Sequence, residues 1–184
     1  MYIQTEFTPN PASLKFLPGK PVMSEGTADF RSKKEAKCSS LALNLFKIDG
    51  VEGVFFGADF ISITKGDNHE WKTLNPPIFE VITEYYKSGM PIISKAEEDK
   101  TVSAGSVDSE AVIKIKEVLD TKVRPAVARD GGDITFKSFE EGVVYVHMQG
   151  SCSGCPSSTA TLKAGIENML KHYVPEVRAV RPVN

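Results

Sequence analysis

Cysteine is scarce in this sequence, with three cysteines among 184 residues. An odd and sparse count argues against the disulfide framework of a small secreted protein, and a chain of this length buries enough apolar surface to fold without one. Apolar runs long enough for a membrane helix are lacking, and so is a signal-peptide hydrophobic region. The sequence therefore indicates a protein of a reducing compartment with no membrane partner.

An excess of either charge is also lacking. The chain has 22 Lys and Arg residues against 24 Asp and Glu residues, a net charge of −2. Nucleic-acid binding favours a basic excess, so no nucleic-acid partner is expected. No Ser-His-Asp arrangement, phosphate-binding loop or paired-carboxylate setting stands out, and we expect a protein that is not an enzyme.

The first residues carry no sign of a targeting sequence. Ile3, Glu6 and Phe7 already have the pattern of a folded strand, so we expect no Arg-rich presequence before the first domain. The expected location is the cytoplasm of a bacterium. The alternative is the mitochondrial matrix, for a mature form whose presequence has been removed.

A polar segment divides the chain. Residues 92–108 are small, polar and charged, and they offer little apolar surface to bury, which is typical of a flexible linker. We therefore predict a domain at residues 1–91, a linker at 92–108 and a second domain at 109–184. The fold class is α+β, with two small two-layer α/β domains.

The first domain is predicted from alternation and turn signals. Its elements are a strand at 2–7, a hairpin of 51–56 with 60–64, a helix opened by the capping box Ser32–Glu35, and a helix from Asn75 to Gly89. Cys38 lies on the apolar face of the first helix. We expect it to be a small buried hydrophobic residue and not a ligand.

The second domain has the predicted order helix, strand, strand, Cys-x-x-Cys loop and helix. Its first helix begins near Ser109, and a turn at Asp130–Asp133 precedes a hairpin of 134–139 with 143–148. Gly131 and Gly132 are expected to supply the positive φ of that turn, which explains the turn without a functional role. His147 is expected to be an ordinary strand histidine.

The cysteine loop holds the remaining two cysteines, in the run Gly150-Ser151-Cys152-Ser153-Gly154-Cys155-Pro156-Ser157-Ser158. A strand pattern precedes it, a helix pattern follows it, and Pro156 suits a first helical turn. Unpaired N–H groups at a helix N-terminus favour the thiolate form, which binds metals and attacks disulfides. We take Cys152 and Cys155 as the candidate metal or cofactor ligands.

The number of ligands is too small for one chain. Thiolate-bound clusters and structural zinc take about four protein ligands, and this loop supplies two. Metal binding therefore predicts that two chains pool their loops in a homodimer. The spacing leaves open an iron–sulfur cluster, a zinc-bridged interaction module or the dithiol of a thiol–disulfide oxidoreductase. A purely structural role in the core is disfavoured, because Ser, Gly and Pro surround the two cysteines.

Two parts of the sequence resemble known domains. The second part resembles the NifU C-terminal domain through Leu119, Arg124-Pro125, Asp130–Ile134, Phe136, 142–146, 150–158, 161–163 and 165–167. The first part is similar to the Nfu N-terminal domain through 8–16, 48–51 and 53–57. Together they resemble Nfu-type iron–sulfur carrier proteins.

The resemblance implies a [4Fe–4S] cluster shared between two chains, with Cys152 and Cys155 of each as ligands. A [2Fe–2S] form is left open as a precursor or breakdown product. It further implies delivery of the cluster to apo iron–sulfur proteins, after loading from an upstream assembly scaffold.

Overall fold

The computed structural model describes residues 2–93, 109–153 and 156–183, without the side chains of 156–159. The chain forms two compact units, Met1–Asp99 and Lys100–Asn184. Each unit contains a sheet and helices, so the predicted α+β class with two domains is confirmed. Most of the predicted linker, residues 94–108, lies outside the described residues, and its flexibility stays a prediction.

The first unit is built on an antiparallel sheet. Its strands are β1 (Gln4–Phe7), β2 (Ser13–Leu17), β3 (Ala28–Phe30), β4 (Val51–Phe56) and β5 (Ile61–Lys65), in the order β1-β2-β5-β4-β3. The hairpin of β4 and β5 agrees with the sequence prediction. Leu14 and Phe16, alternate residues of β2, are buried in the core, as expected for a strand with one face on helices.

The first helix of this unit starts later than predicted. A 3₁₀ turn, Glu35–Cys38, precedes helix α1 (Ser40–Leu45), and Ser39 caps α1 by accepting the Ala42 N–H at 3.2 Å. The predicted capping box is wrong, because the Glu35 carboxylate accepts the Arg31 N–H instead of that of Ser32. Ser39 supplies the hydroxyl oxygen that a helix N-terminus needs.

The second helix of this unit, α2 (Trp71–Ser88), starts before the predicted Asn75. Pro76 and Pro77 lie inside it, although a proline removes one backbone donor from a helix. The burial of Leu74, Ile78 and Ile82 against the sheet outweighs that loss. The helix ends before Gly89, as predicted.

The second unit has a smaller sheet under a helical layer. Its elements are α3 (Glu110–Val118), a π-helical turn (Leu119–Val123), α4 (Arg124–Arg129), β6 (Gly132–Glu140), β7 (Val143–Gly150), α5 (Pro156–Tyr173) and β8 (Ala179–Val183). The strand order is β6-β7-β8, with β6 and β7 antiparallel and β7 and β8 parallel. Val144, Val146 and Met148 alternate along β7 and face a core that contains Ile115 and Leu170.

The π-helical turn explains how the first helix of this unit passes Pro125. A proline ring collides with the carbonyl four residues earlier in a regular α-helix. Here the Arg124 N–H bonds the Leu119 carbonyl, five residues back, so the turn before Pro125 is widened. The helix therefore continues to Arg129. In the part of the chain that the structure describes, no helix has the length and apolar character needed to cross a membrane.

Candidate functional site

Cys152 lies in the turn that follows β7. Its side chain is 6% exposed and belongs to the hydrophobic core of the second unit, together with Ile134 and Ile166. The expectation that nothing apolar packs near the cysteines is therefore wrong for Cys152. The end of β7 and the turn after it pack against the helical layer. Cys152 is therefore buried, although its sequence neighbours are polar or small.

Hydrogen bonds close this turn on itself. The segment Gly150–Ser153 is called the cysteine turn below. The Ser153 N–H and the Ser153 hydroxyl both donate to the Gly150 carbonyl, at 3.0 and 2.9 Å. These two bonds from Ser153 therefore hold the backbone on both sides of Cys152.

A second turn supports the cysteine turn. The segment Asp130–Asp133, called the facing turn below, leads into β6. The Ser151 N–H donates to the Gly131 carbonyl at 3.2 Å, and the Ser151 hydroxyl donates to the Asp130 carbonyl. Gly131 has φ of +79°, a conformation that glycine adopts without strain. The two turns are thus joined through Ser151.

Gly132 has a different role from its neighbour. It does not have a positive φ and it pairs with Gly150 at the start of β6, so the expectation that both glycines supply the positive φ is wrong. A Cβ atom on Gly132 would lie 2.6 Å from the Cys152 Sγ and 2.6 Å from the Gln149 carbonyl oxygen. Glycine is present here because the thiol and the backbone occupy the space of a side chain.

The facing turn is anchored by a buried carboxylate. Asp133 is 4% exposed, and its two oxygens accept the Arg124 Nε and a terminal Arg124 nitrogen, each at 2.8 Å. Asp133 Oδ1 also accepts the Ile134 N–H at 2.8 Å. These hydrogen bonds raise the pKa of Arg124 above its usual value. Paired, bidentate bonds of this kind fix geometry as well as charge.

The anchor was missed by the sequence analysis, which explained Asp130–Asp133 as a turn alone. The signal was available in part: a carboxylate that directly precedes an apolar strand is rarely buried unless it is paired. Arg124 lies one helical turn after Asp120, whose carboxylate it also contacts at 3.2 Å. Sequence does not show, however, which of the two acids lies in the core.

Gly154 and the candidate ligand Cys155 lie outside the described residues. Helix α5 begins at Pro156, as predicted. In residues 2–93, 109–153 and 156–183, no group of three His, Cys, Asp or Glu side chains is arranged to hold a metal ion.

The surroundings of the turn differ in one respect from the expectation. The predicted order of the second domain contains no strand-helix-strand unit before the cysteines. The structure shows such a unit around them: β7 and β8 are parallel, and α5 connects them. The cysteine turn therefore lies at a strand–helix junction of the kind that also carries redox cysteines.

The remaining cysteine and the strand histidine have ordinary packing contacts. Cys38 is half-buried, and not fully buried as expected, and it packs against the core of the first unit. His147 Nδ1 lies 3.2 Å from the Val183 carbonyl oxygen, which links β7 to β8. Trp71, Tyr85 and Tyr86 pack the first unit, and burial raises the pKa of Tyr86 to about 12.

Two family models match the chain. The model described as the scaffold protein Nfu/NifU N terminal matches residues 3–89, and the NifU-like domain matches residues 115–181. The solution structure of a NifU-like protein from Saccharomyces cerevisiae is 29% identical, covers 52% of this chain and 87% of its own, and has a TM-score of 0.48.

Curated relatives match nearly the whole chain. A Drosophila persimilis protein named NFU1 iron-sulfur cluster scaffold homolog, mitochondrial, is 52% identical over 184 residues and covers 100% of this chain. NifU-like protein 4, mitochondrial, of Arabidopsis thaliana is 53% identical over 184 residues and covers 98% of it. The chain spans 65% of the length of each, which is less than two thirds.

Proposed function

Because the chain belongs to the Nfu/NifU family of scaffold proteins, we propose that it carries iron–sulfur clusters between an assembly scaffold and apo iron–sulfur proteins. The cluster is its cargo. We assign Cys152 and Cys155 as the ligands and [4Fe–4S] as the main form, with [2Fe–2S] as a precursor or breakdown product. Transfer of a cargo by ligand exchange does not require an enzyme.

The observation that carries this proposal is the way the Cys152 thiol is held. Cys152 lies between two turns joined by the Ser151 N–H and hydroxyl, and no side chain separates its Sγ from Gly132. Thiolate is the usual protein ligand of iron–sulfur clusters, and a ligand fixed by its surroundings loses little entropy on binding. The residues present therefore fit a cluster.

Sharing between two chains follows from the ligand count. One chain offers Cys152 and Cys155 in this loop, and the described residues contain no three-ligand group that would complete a site within the chain. Two loops supply four thiolates, which is the usual number for a cluster. We therefore propose a homodimer that forms on cluster binding.

The release of the cluster is proposed to proceed one thiolate at a time. A cysteine thiol of the apo-protein gives up its proton to solvent and replaces Cys155 or Cys152 at iron. The displaced thiolate of this chain takes up a proton from solvent, so the exchange is balanced in protons and changes no oxidation state. The hydrogen bonds of Ser151 and Ser153 keep the cysteine turn in shape during the exchange. The chain then returns to its apo form without unfolding.

We propose the mitochondrion as the location. The names of the relatives from Drosophila persimilis and Arabidopsis thaliana place those proteins there. These names support the alternative stated from the sequence and give no support to the bacterial cytoplasm.

The test is anaerobic reconstitution with iron and sulfide, followed by iron analysis, absorption spectroscopy and size determination of the same sample. We expect a brown dimer with roughly four irons per two chains. Cys152→Ser and Cys155→Ser should each abolish cluster binding, whereas Cys38→Ser, the matched control, should retain it.

Two other results would contradict the proposal. A colourless monomer that reduces disulfides through Cys152 and Cys155 would indicate a thiol–disulfide oxidoreductase. A colourless dimer that binds zinc would indicate a metal-bridged interaction module.

A further inference from the structure

The Cys152 thiol lies against the backbone of Gly132. Any other residue at position 132 would place a side chain in that space. Gly132 leaves that space open, and a Cβ atom there would be 2.6 Å from the Cys152 Sγ and 3.1 Å from the Cys152 nitrogen. Carbon atoms in proteins meet such neighbours at about 3.5 to 4.0 Å, so even one methyl group does not fit without movement.

Few of the atoms around a Cβ at position 132 are free to move away from it. The Gln149 carbonyl, also 2.6 Å from the Cβ position, belongs to the strand β7 that pairs with β6. Ile134 and Asp133, which follow Gly132 in β6, are buried. The atom that yields most easily is the Cys152 Sγ, because it is at the end of a side chain and its turn lies at the end of a strand.

The facing turn itself is held in place. Asp133 receives two hydrogen bonds from Arg124 and one from the Ile134 N–H, so the residue next to Gly132 is fixed in the core. The Ser151 hydroxyl and N–H tie Asp130 and Gly131 to the cysteine turn. A side chain at position 132 would therefore press on Cys152 and would not simply shift the facing turn away.

We propose that Gly132 is a positioning residue for the cluster ligand Cys152. Because Gly132 has no side chain, the facing turn lies directly against the Cys152 thiol. This contact fixes the position of Sγ and shields Sγ from solvent in the apo protein. Gly131 acts through backbone conformation, whereas Gly132 acts through the space it leaves. This inference rests on the proposed function for its purpose, but its structural part does not need a cluster.

The first experiment measures the thiols of the full apo chain. Parent, Gly132→Ala and Gly165→Ala are alkylated with iodoacetamide, and the modified Cys38, Cys152 and Cys155 peptides are quantified by mass spectrometry over time. Gly165 is the matched control, because a Cβ there meets nothing within 4 Å. We expect Cys152 in Gly132→Ala to react about tenfold faster, since a displaced thiol is more often exposed. Cys38 should react at the parent rate in all three proteins.

The second experiment uses the same proteins after anaerobic reconstitution. We expect Gly132→Ala to bind iron about tenfold more weakly, as is usual when support of a metal ligand is disturbed. The cluster that remains should show altered visible circular dichroism per iron. A mere loss of stability would lower the fraction folded and leave that spectrum unchanged. Gly165→Ala should match the parent in both measurements.

The outcomes separate this inference from the proposed function. Equal Cys152 alkylation in parent and Gly132→Ala, within about twofold, overturns the inference. If Gly132→Ala does not fold, Ser151→Ala decides: it removes the bond to Asp130 without adding volume, and unchanged Cys152 alkylation there also overturns it. A parent that takes up no iron refutes the proposed function, while the alkylation rates still show whether Gly132 positions the thiol.

Discussion

The two units each contain a cysteine near a helix, yet only one of them gives it a specific environment. Cys38 ends a 3₁₀ turn, is half-buried, and has its Sγ 3.9 Å from the Glu35 carbonyl oxygen. Cys152 lies between two turns, with the Ser151 hydrogen bonds on one side and Gly132 on another. The two cysteines therefore differ in the backbone around them, although both lie near a helix.

The hydrophobic cores of the two units also differ in composition. The first is rich in aromatic rings, with Phe30 and Phe56 at 5.5 Å and Phe16 and Phe79 at 5.7 Å between centroids. The buried core of the second, in its described part, is aliphatic apart from sulfur-containing residues. Large rings supply stability through buried area, whereas the second unit has polar groups and glycines around Cys152.

The largest expected effect tests whether the units are separate. Phe56→Ala removes a fully buried ring from the first unit and should lower its free energy of unfolding by about 3–5 kcal/mol. Iron content per chain after reconstitution should stay at the parent value. Circular dichroism during urea unfolding, combined with iron analysis, checks both parts. A parallel loss of iron would show that the second unit depends on the first.

The next effect compares two arginines. Arg124→Ala leaves the Asp133 carboxylate buried without its charged partner and should destabilise the second unit by about 3 kcal/mol. Arg31 bonds Asp29 at 3.2 Å with 43% of the Arg31 side chain exposed, so Arg31→Ala should cost less than about 1 kcal/mol in the first unit. Urea midpoints of the two variants give the comparison. Equal costs would contradict the assignment of Arg124 as the main partner of the Asp133 carboxylate.

The smallest effect concerns pH and one carboxylate of α5. Glu167 accepts a bond from Lys171 at 2.6 Å and the Val180 N–H at 3.1 Å, and these bonds lower the pKa of Glu167, the Lys171 bond most. A carboxylate whose pKa is lowered in the folded state contributes to the free energy of unfolding. That contribution is fully present at pH values above the usual glutamate pKa, about 4.3. That contribution is lost as pH falls through the lowered pKa.

Glu167→Gln should therefore destabilise the second unit by roughly 1 kcal/mol at neutral pH and progressively less at acidic pH values. Thermal unfolding between these pH values measures the difference. Glu110→Gln is the control, because the Glu110–Lys114 pair is exposed on the surface of α3 and does not link two elements. A cost for Glu167→Gln that is the same at every pH would refute the assignment to the ionised carboxylate.

Local patterns predicted the hairpins, the end of α2 and the position of the cysteine turn between strand and helix. They failed where distant contacts decide. β3 has three residues, too few for a visible alternation, and it exists because Phe30 pairs with Val54 of β4. At the start of α2, the Trp71 ring contacts that of Phe16, a residue far away in the sequence, with 6.4 Å between centroids.

The site followed the same rule. The thiol chemistry of Cys152 could be predicted from its motif, but its burial could not. The core residues around it, Ile134 and Ile166, belong to β6 and α5, and the sequence does not show that these elements meet at Cys152. The reason for Gly132 was not readable either. A glycine required for space and a glycine required for φ look identical in a sequence, and only the position of the opposite chain separates them.

The register of β6 and β7 has a consequence for the order of folding. Gly132 faces Gly150 across an antiparallel hairpin whose two-residue turn is Glu141-Gly142. Hairpins close within microseconds, since the loop is short. The parallel pairing of β8 instead waits for the whole of α5 and carries a larger loop-closure cost. In a folding chain the two turns around Cys152 are therefore able to meet before β8 pairs with β7, whereas the packing of Cys152 with Ile166 waits for α5.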